Sequence, residues 1–196
     1  MPKTRPADPD AVPRKLERAA RTGHLVRVRR SFPGADPVEG FVLGTNPRWT
    51  LLAPCRDVLL DGFTAVRTPD VDRVKRAGDE ESLTVRALRR CGRWPVQEPE
   101  VPYGGLRELL PAASARYGLV MLEFEHRDPG AGWIGAVLGL GRRTVRLREV
   151  DTRARWHDGP SKFRLAEITR VSFAGRYDQA LLEFAGPLPG PVDPES

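Results

Sequence analysis

The chain has 196 residues, 40% hydrophobic and 30% charged, a composition that suits one ordinary domain or two small ones with a buried core and excludes a disordered chain. No run of 18 apolar residues exists, which excludes a transmembrane helix; Cys55 and Cys91 stand far apart with no CxxC, which argues against a disulfide framework or a zinc knuckle. Nine of the 32 basic residues but only three of the 26 acidic ones fall in residues 1–30, so the body balances at 23 of each and the excess of +6 sits at the start.

Residues 1–12 read as a disordered basic tail; they lack the apolar stretch of a secretory signal, and a reduced, cytoplasmic protein is the expectation. Pro13–Thr22 reads as a helix closed by Gly23. Leu25–Arg29, Gly40–Gly44, Trp49–Ala53, Phe63–Arg67 and Val71–Lys75 read as strands, with Asp61-Gly62 as a turn. Ser82–Cys91 has Leu83, Ala87, Leu88 and Cys91 apolar and reads as a closing helix stopped by Gly92. Residues 93–104, rich in proline, form a linker. Leu106–Tyr117 then places Leu106, Leu109, Leu110 and Ala113 at helical spacing, with Gly118 as its stop. Leu119–Glu125, Trp133–Leu138 and Thr144–Val150 are strands, and shorter ones fall around Phe163–Leu165 and Ile168–Phe173. Turns are expected at Arg127–Gly130, Gly139–Arg143 and Asp158-Gly159. Tyr177–Phe184 is a second closing helix, with Ala180, Leu181 and Phe184 on one side, and residues 187–196 form a second disordered tail.

The second set of elements repeats the first. Gly40-Phe-Val42-Leu43-Gly44 recurs 95 residues later as Gly135-Ala-Val137-Leu138-Gly139. At a shift of 97, Asp61-Gly62 meets Asp158-Gly159, Arg67 meets Arg164, and Arg73-Val74-x-x-Ala77-Gly78 meets Arg170-Val171-x-x-Ala174-Gly175. Two ordered blocks at a nearly constant shift mark an internal duplication. It divides the chain into repeat 1 (residues 13–92) and repeat 2 (residues 105–186).

A leading helix followed by five short strands with tight turns describes a small, bent antiparallel barrel, since closing the sheet hides its edges. This order resembles the Sm-like (LSm) fold, a variant of the SH3-like barrel, over nearly the whole chain. The expected class is thus mainly β with flanking helices (α+β), built as two tandem five-stranded barrels. Segments such as Trp133-Ile-Gly-x-Val137 and Ile168-Thr-Arg-Val171 are also similar to those of uncharacterised bacterial proteins. The resemblance implies RNA binding in the loops after the second and fourth strands, and assembly into rings. The first loop corresponds to Asn46-Pro47-Arg48 and Gly141-Arg142-Arg143. The second, where the family carries an Arg-Gly pair, reads Thr68-Pro69-Asp70 and Ala166-Glu167, and an acid there repels phosphate.

Candidate sites follow from charge. Arg14, Lys15, Arg18 and Arg21 form one face of the first helix, and Arg27 and Arg29 alternate along the next strand. With Arg142 and Arg143 they are the candidate nucleic-acid contacts, a counterion-releasing attraction that salt weakens. The cations are 28 Arg to four Lys, a skew that GC-rich coding imposes on any protein, so arginine richness alone argues little. Glu123, Glu125, His126 and Asp128 are the one group with the chemistry for a metal or acid–base site, although His126 points away from a strand face shared by the two glutamates. No phosphate loop, Gly-x-Ser-x-Gly or His-Glu-x-x-His is present, and no cofactor is implied. A non-enzymatic binding protein is the leading expectation: a protein partner or a second copy first, RNA or DNA second, and no membrane.

Overall fold

The computed structural model describes residues 11–190; the rest of the two expected tails, residues 1–10 and 191–196, lies outside the described residues. The first set of elements is α1 (Ala11–Thr22), β1 (Leu25–Arg30), β2 (Val38–Thr45), β3 (Trp49–Arg56), β4 (Leu59–Leu60), β5 (Phe63–Arg67), β6 (Val71–Arg76) and α2 (Leu83–Arg90). The second is α3 (Leu106–Tyr117), β7 (Val120–Glu123), β8 (Gly132–Leu140), β9 (Thr144–Val150), β10 (Trp156–Arg164), β11 (Arg170–Phe173) and α4 (Arg176–Ala185). In both, a single 3-10 turn separates the last two strands, at Thr68–Asp70 and Leu165–Glu167. Among the described residues, no helix is long and apolar enough to cross a membrane.

The strands form one antiparallel sheet in the order β10-β9-β8-β7-β11-β5-β3-β2-β1-β6, with β4 paired to β3 alone. The mainly-β class with flanking helices holds, but the two closed barrels expected from the sequence do not form. Closure would pair the last long strands of one unit with each other. Instead β5 of the first unit pairs with β11 of the second, Phe63 opposite Phe173 and Val66 opposite Arg170. This seam covers one edge in each unit, which removes the need that closure was expected to meet. Among the described residues, β6 and β10 end this ladder, and the two-residue β4 is paired on one side alone.

Each helix covers its own stretch of sheet. Leu16 and Ala19 of α1 pack on Val26, Val28, Val38, Val71 and Val74, while Val85 and Leu88 of α2 meet Leu25, Phe41 and Cys55. Ser82 caps α2, its Oγ accepting from the Val85 N–H. The largest core crosses the seam: Leu109, Leu110 and Ala113 of α3 share it with Trp49, Leu51 and Ala65 of the first unit. The two repeats thus share their largest interior, while each keeps smaller clusters of its own.

Three local expectations are corrected. The helix α1 begins at Ala11, two residues inside the expected tail. Asp158-Gly159 is not a turn but lies within β10, where the pairing register jumps between Trp156 and Pro160; the chain turns earlier, with the Asp151 N–H donating to the Arg155 carbonyl at 2.9 Å. On α4, Leu181 is buried with Asp178, whereas Ala180 and Phe184 face outward.

The first glycine of the repeated block now has a physical reason. A Cβ on Gly40 would collide with the Ala53 carbonyl, and one on Gly135 with the Arg148 carbonyl, on the neighbouring strand in each case. Backbone cannot swing aside as a side chain can. Gly40→Ala and Gly135→Ala should each lower the unfolding free energy by about 1–3 kcal/mol in urea titration. Gly159→Ala, where an added Cβ meets nothing within 4 Å, should stay within about 0.5 kcal/mol of the parent.

Candidate functional site

Arg14, Lys15, Arg18 and Arg21 are all exposed on α1, away from the Leu16 and Ala19 side that packs on the sheet. Arg27 and Arg29 do not join them. Val26 and Val28 point toward α1, so the alternation of the strand sends both arginines to the other face. There each is already bound. Arg27 donates to Glu39 Oε2 through Nε and Nη2 at 2.9 and 2.6 Å. Arg29 grips both oxygens of Asp72, at 3.0 and 2.7 Å.

Arg142 and Arg143 are exposed in the turn between β8 and β9. Arg107 donates to the Gly141 and Arg142 carbonyls at 3.0 and 3.1 Å, and the Arg143 carbonyl accepts from the Leu165 N–H at 3.0 Å. In the first unit the Arg48 carbonyl likewise accepts from the Thr68 N–H at 2.9 Å. Asn46 Oδ1 shapes that turn by accepting from the Arg48 and Trp49 N–H groups at 2.8 and 2.9 Å. The two loops singled out in the sequence thus abut in both units.

The acidic group does not converge. Glu123 is taken by Arg170, with Nε 3.0 Å from Oε2. Glu125 is taken by Arg30, while His126 and Asp128 are exposed. His126 instead sets its ring 6.2 Å from that of Phe32. No group of three or more metal-ligating side chains occurs among the described residues.

What the acids build instead is one end of the seam. The Arg30 and Glu125 side chains are 0% and 3% exposed, and they meet through Nη2 and Oε1 and through Nε and Oε2, the latter at 3.2 Å. The Glu125 N–H donates to Thr169 Oγ1 at 2.9 Å. Burial pushes the carboxyls of Asp70 and Glu123 above their ordinary values, opposed chiefly by Arg67 for Asp70 and by Arg170 for Glu123. Sequence carried a signal for Arg30: it continues the inward phase of Val26 and Val28, where an arginine must find a buried partner.

The other end of the seam joins the β4–β5 turn to the start of α4. Gly62, at φ +63°, lies so close to the Phe173 carbonyl and the Gly175 nitrogen that a Cβ would overlap both. Asp61 Oδ1 accepts from the Arg176 N–H at 2.8 Å. Asp178 accepts from the Gly175 N–H at 3.3 Å. Burial, reinforced by Asp61, raises the Asp178 carboxyl to about 6 against the Gly175 hydrogen bond.

Beyond this end, α4 displays an apolar face to solvent. Tyr177 is 54% and Phe184 81% exposed, with exposed Ala180 between them at i+3. At i, i+3 and i+7 these three exposed side chains lie on one side of the helix, the spacing by which a helix docks its apolar face into a groove. The exposure of Phe184 differs from the sequence pattern, which put it on one side of the helix with Leu181. No family model, curated protein or solved structure matches this chain.

Proposed function

We propose that the chain is a non-enzymatic interaction protein made of two Sm-like units, which engages another protein through its second unit. The observation that carries this reading is the exposed Tyr177–Ala180–Phe184 face of α4. The Sm-like assignment draws support from strand order, which is the same in both units: β6-β1-β2-β3-β5 and β11-β7-β8-β9-β10. With the two-residue β4 left out of the count, each runs fifth, first, second, third, fourth.

The free edges favour a partner over a second copy. The repeat places Pro160 and Lys162 of β10 where the seam has Phe63 and Ala65. It places Lys75 and Arg76 of β6 where the seam has Ser172 and Phe173. Proline removes a ladder donor, and charges on an edge oppose pairing. A second copy added in the seam's register would set Pro160 against Arg76 and Lys162 against Val74, and the acid of β6, Asp72, is already held by Arg29.

The test is affinity capture on the purified chain. A protein partner retained at high salt should bind the double variant Tyr177→Ser/Phe184→Ser at least tenfold more weakly, since aromatic anchors dominate interfaces. Unchanged retention would remove the reading. A second reading, nucleic-acid binding, draws on the exposed cations of α1. It requires binding that falls steeply with salt and is lost when Arg14, Lys15, Arg18 and Arg21 are all changed to Glu.

A further inference from the structure

The duplication allows one groove to be compared with its own counterpart. In the first unit, a groove of about 280 Å³ beside the end of α1 is lined by Gly23, Phe41, Val42 and Leu43. In the second, a groove of about 430 Å³ beside the end of α3 is lined by Gly118, Ala136, Val137 and Leu138. These four positions correspond one to one at a shift of 95. The first groove is narrowed from within the chain. After α2, Gly92-Arg-Trp94-Pro95 turns back, and Trp94 sets its ring edge-on to Phe41 at 5.3 Å. It also sits where a Cβ on Gly23 would touch it.

After α4 the chain runs Gly186-Pro-Leu188-Pro189, with the same left-handed glycine, φ +70° against +67° at Gly92. Leu188 reaches the second groove in place of Trp94. Phe41 has become Ala136 and Trp94 has become Leu188, so two aromatic rings are missing. Trp156 also lines it, its Nε1–H donating to the Gly186 carbonyl at 3.3 Å, yet the groove stays the larger of the two. Residues 191–196 carry no aromatic side chain to fill it. No charged residue lines the second groove, whereas Arg21 and Glu98 line the first. An occupant must therefore be uncharged where it enters.

Resting on the interaction reading above, we infer that the second groove receives an extended segment of a partner protein carrying an aromatic residue followed by proline, seated as Trp94-Pro95 is seated in the first. The chain itself supplies the probe: a synthetic peptide of residues 92–97, Gly-Arg-Trp-Pro-Val-Gln. Titrated into the isotope-labelled full chain, it should shift the amides of Gly118, Val137–Gly139 and Leu188, leaving those of Gly23 and Leu43 in place. The same peptide with alanine for tryptophan should bind at least tenfold more weakly. So should the chain carrying Ala136→Phe and Leu188→Trp, which installs the first unit's rings. Should that variant fail to fold, Leu138→Arg at the groove's rim serves instead.

Equal binding by the filled or rim-charged chain, or shifts centred elsewhere, overturns the proposal. So do shifts at the groove that grow with protein concentration in the absence of peptide, since the occupant is then a second copy. Loss of the peptide effect with partner capture still dependent on Tyr177 and Phe184 would overturn the groove assignment alone. Loss of both would remove the interaction reading too.

Discussion

Replacing Glu125 with alanine lowers the unfolding free energy by about 3–5 kcal/mol, because the Arg30 guanidinium is left charged and buried without its hydrogen-bonded carboxylate. Arg30 is fully buried, and Glu125 supplies both of its ion-pair contacts. The penalty is one of desolvation: a charge in a medium of low polarisability keeps its full self-energy when its counter-charge is removed. A different result is expected when both partners go. Arg30→Met/Glu125→Leu removes the two charges together, and such exchanges are close to neutral or stabilising when volume is conserved. The double variant should therefore recover most of what the single change loses. Urea titrations of the parent, both single variants and the double variant measure the coupling directly. Additive losses in the double variant would mean that the pair is not the electrostatic unit described.

Stability falls as pH rises from about 4 to about 6, and Asp178→Asn removes most of that dependence. The Asp178 carboxyl sits at about 6 in the folded chain against an ordinary value of 3.8. The folded state thus holds a proton in this window that the unfolded chain gives up, so ionisation works against folding. Below about 4 both states are protonated and there is no penalty; above about 6 the whole of it is present, on the order of 3 kcal/mol. Asparagine can still accept the Gly175 hydrogen bond without carrying charge. At pH 8 the variant should be the more stable by up to about 3 kcal/mol, and at pH 4 the two should nearly coincide. Asp70 and Glu123 are shifted in the same direction by burial, which leaves a weaker trend of the same sign in the variant. A gap between parent and variant that does not change with pH would remove this account.

Elements set by local pattern were legible in the sequence, and the seam was not. Phe63–Arg67, Leu106–Tyr117 and Thr144–Val150 form as read, each bounded by glycine or polar residues. The duplication was legible because Gly40 and Gly135 must both lie against a neighbouring carbonyl, a requirement that resists substitution. The pairing of β5 with β11 leaves no such mark. Ala65 opposite Val171 and Thr64 opposite Ser172 read equally well as strands of two closed barrels, and only three-dimensional placement separates the alternatives. Sequence also kept the four acidic-group residues together as neighbours, whereas the chain turns at Phe124, whose carbonyl accepts from Arg127 and Asp128. The cations of α1 were placed correctly because a helix face follows from spacing alone. Arg27 and Arg29 do lie on one side of their strand as read, but their capture by Glu39 and Asp72 was not legible, because those acids come from other strands.

The seam also sets an order of events during synthesis. Thr64 and Ser172 share a hydroxyl hydrogen bond across 108 residues of chain. The first unit can assemble β1, β2, β3 and β6 while the ribosome is still adding the second, but its β5 edge then has no neighbour until β11 emerges. For that interval a strand reading Phe-Thr-Ala-Val stands bare, without the proline and lysine that guard the permanent edge at β10. Pairings between distant parts of a chain form slowly, and an unpaired edge is where nascent chains join one another. The nascent first unit is thus most open to misassembly where the finished protein is most tightly closed.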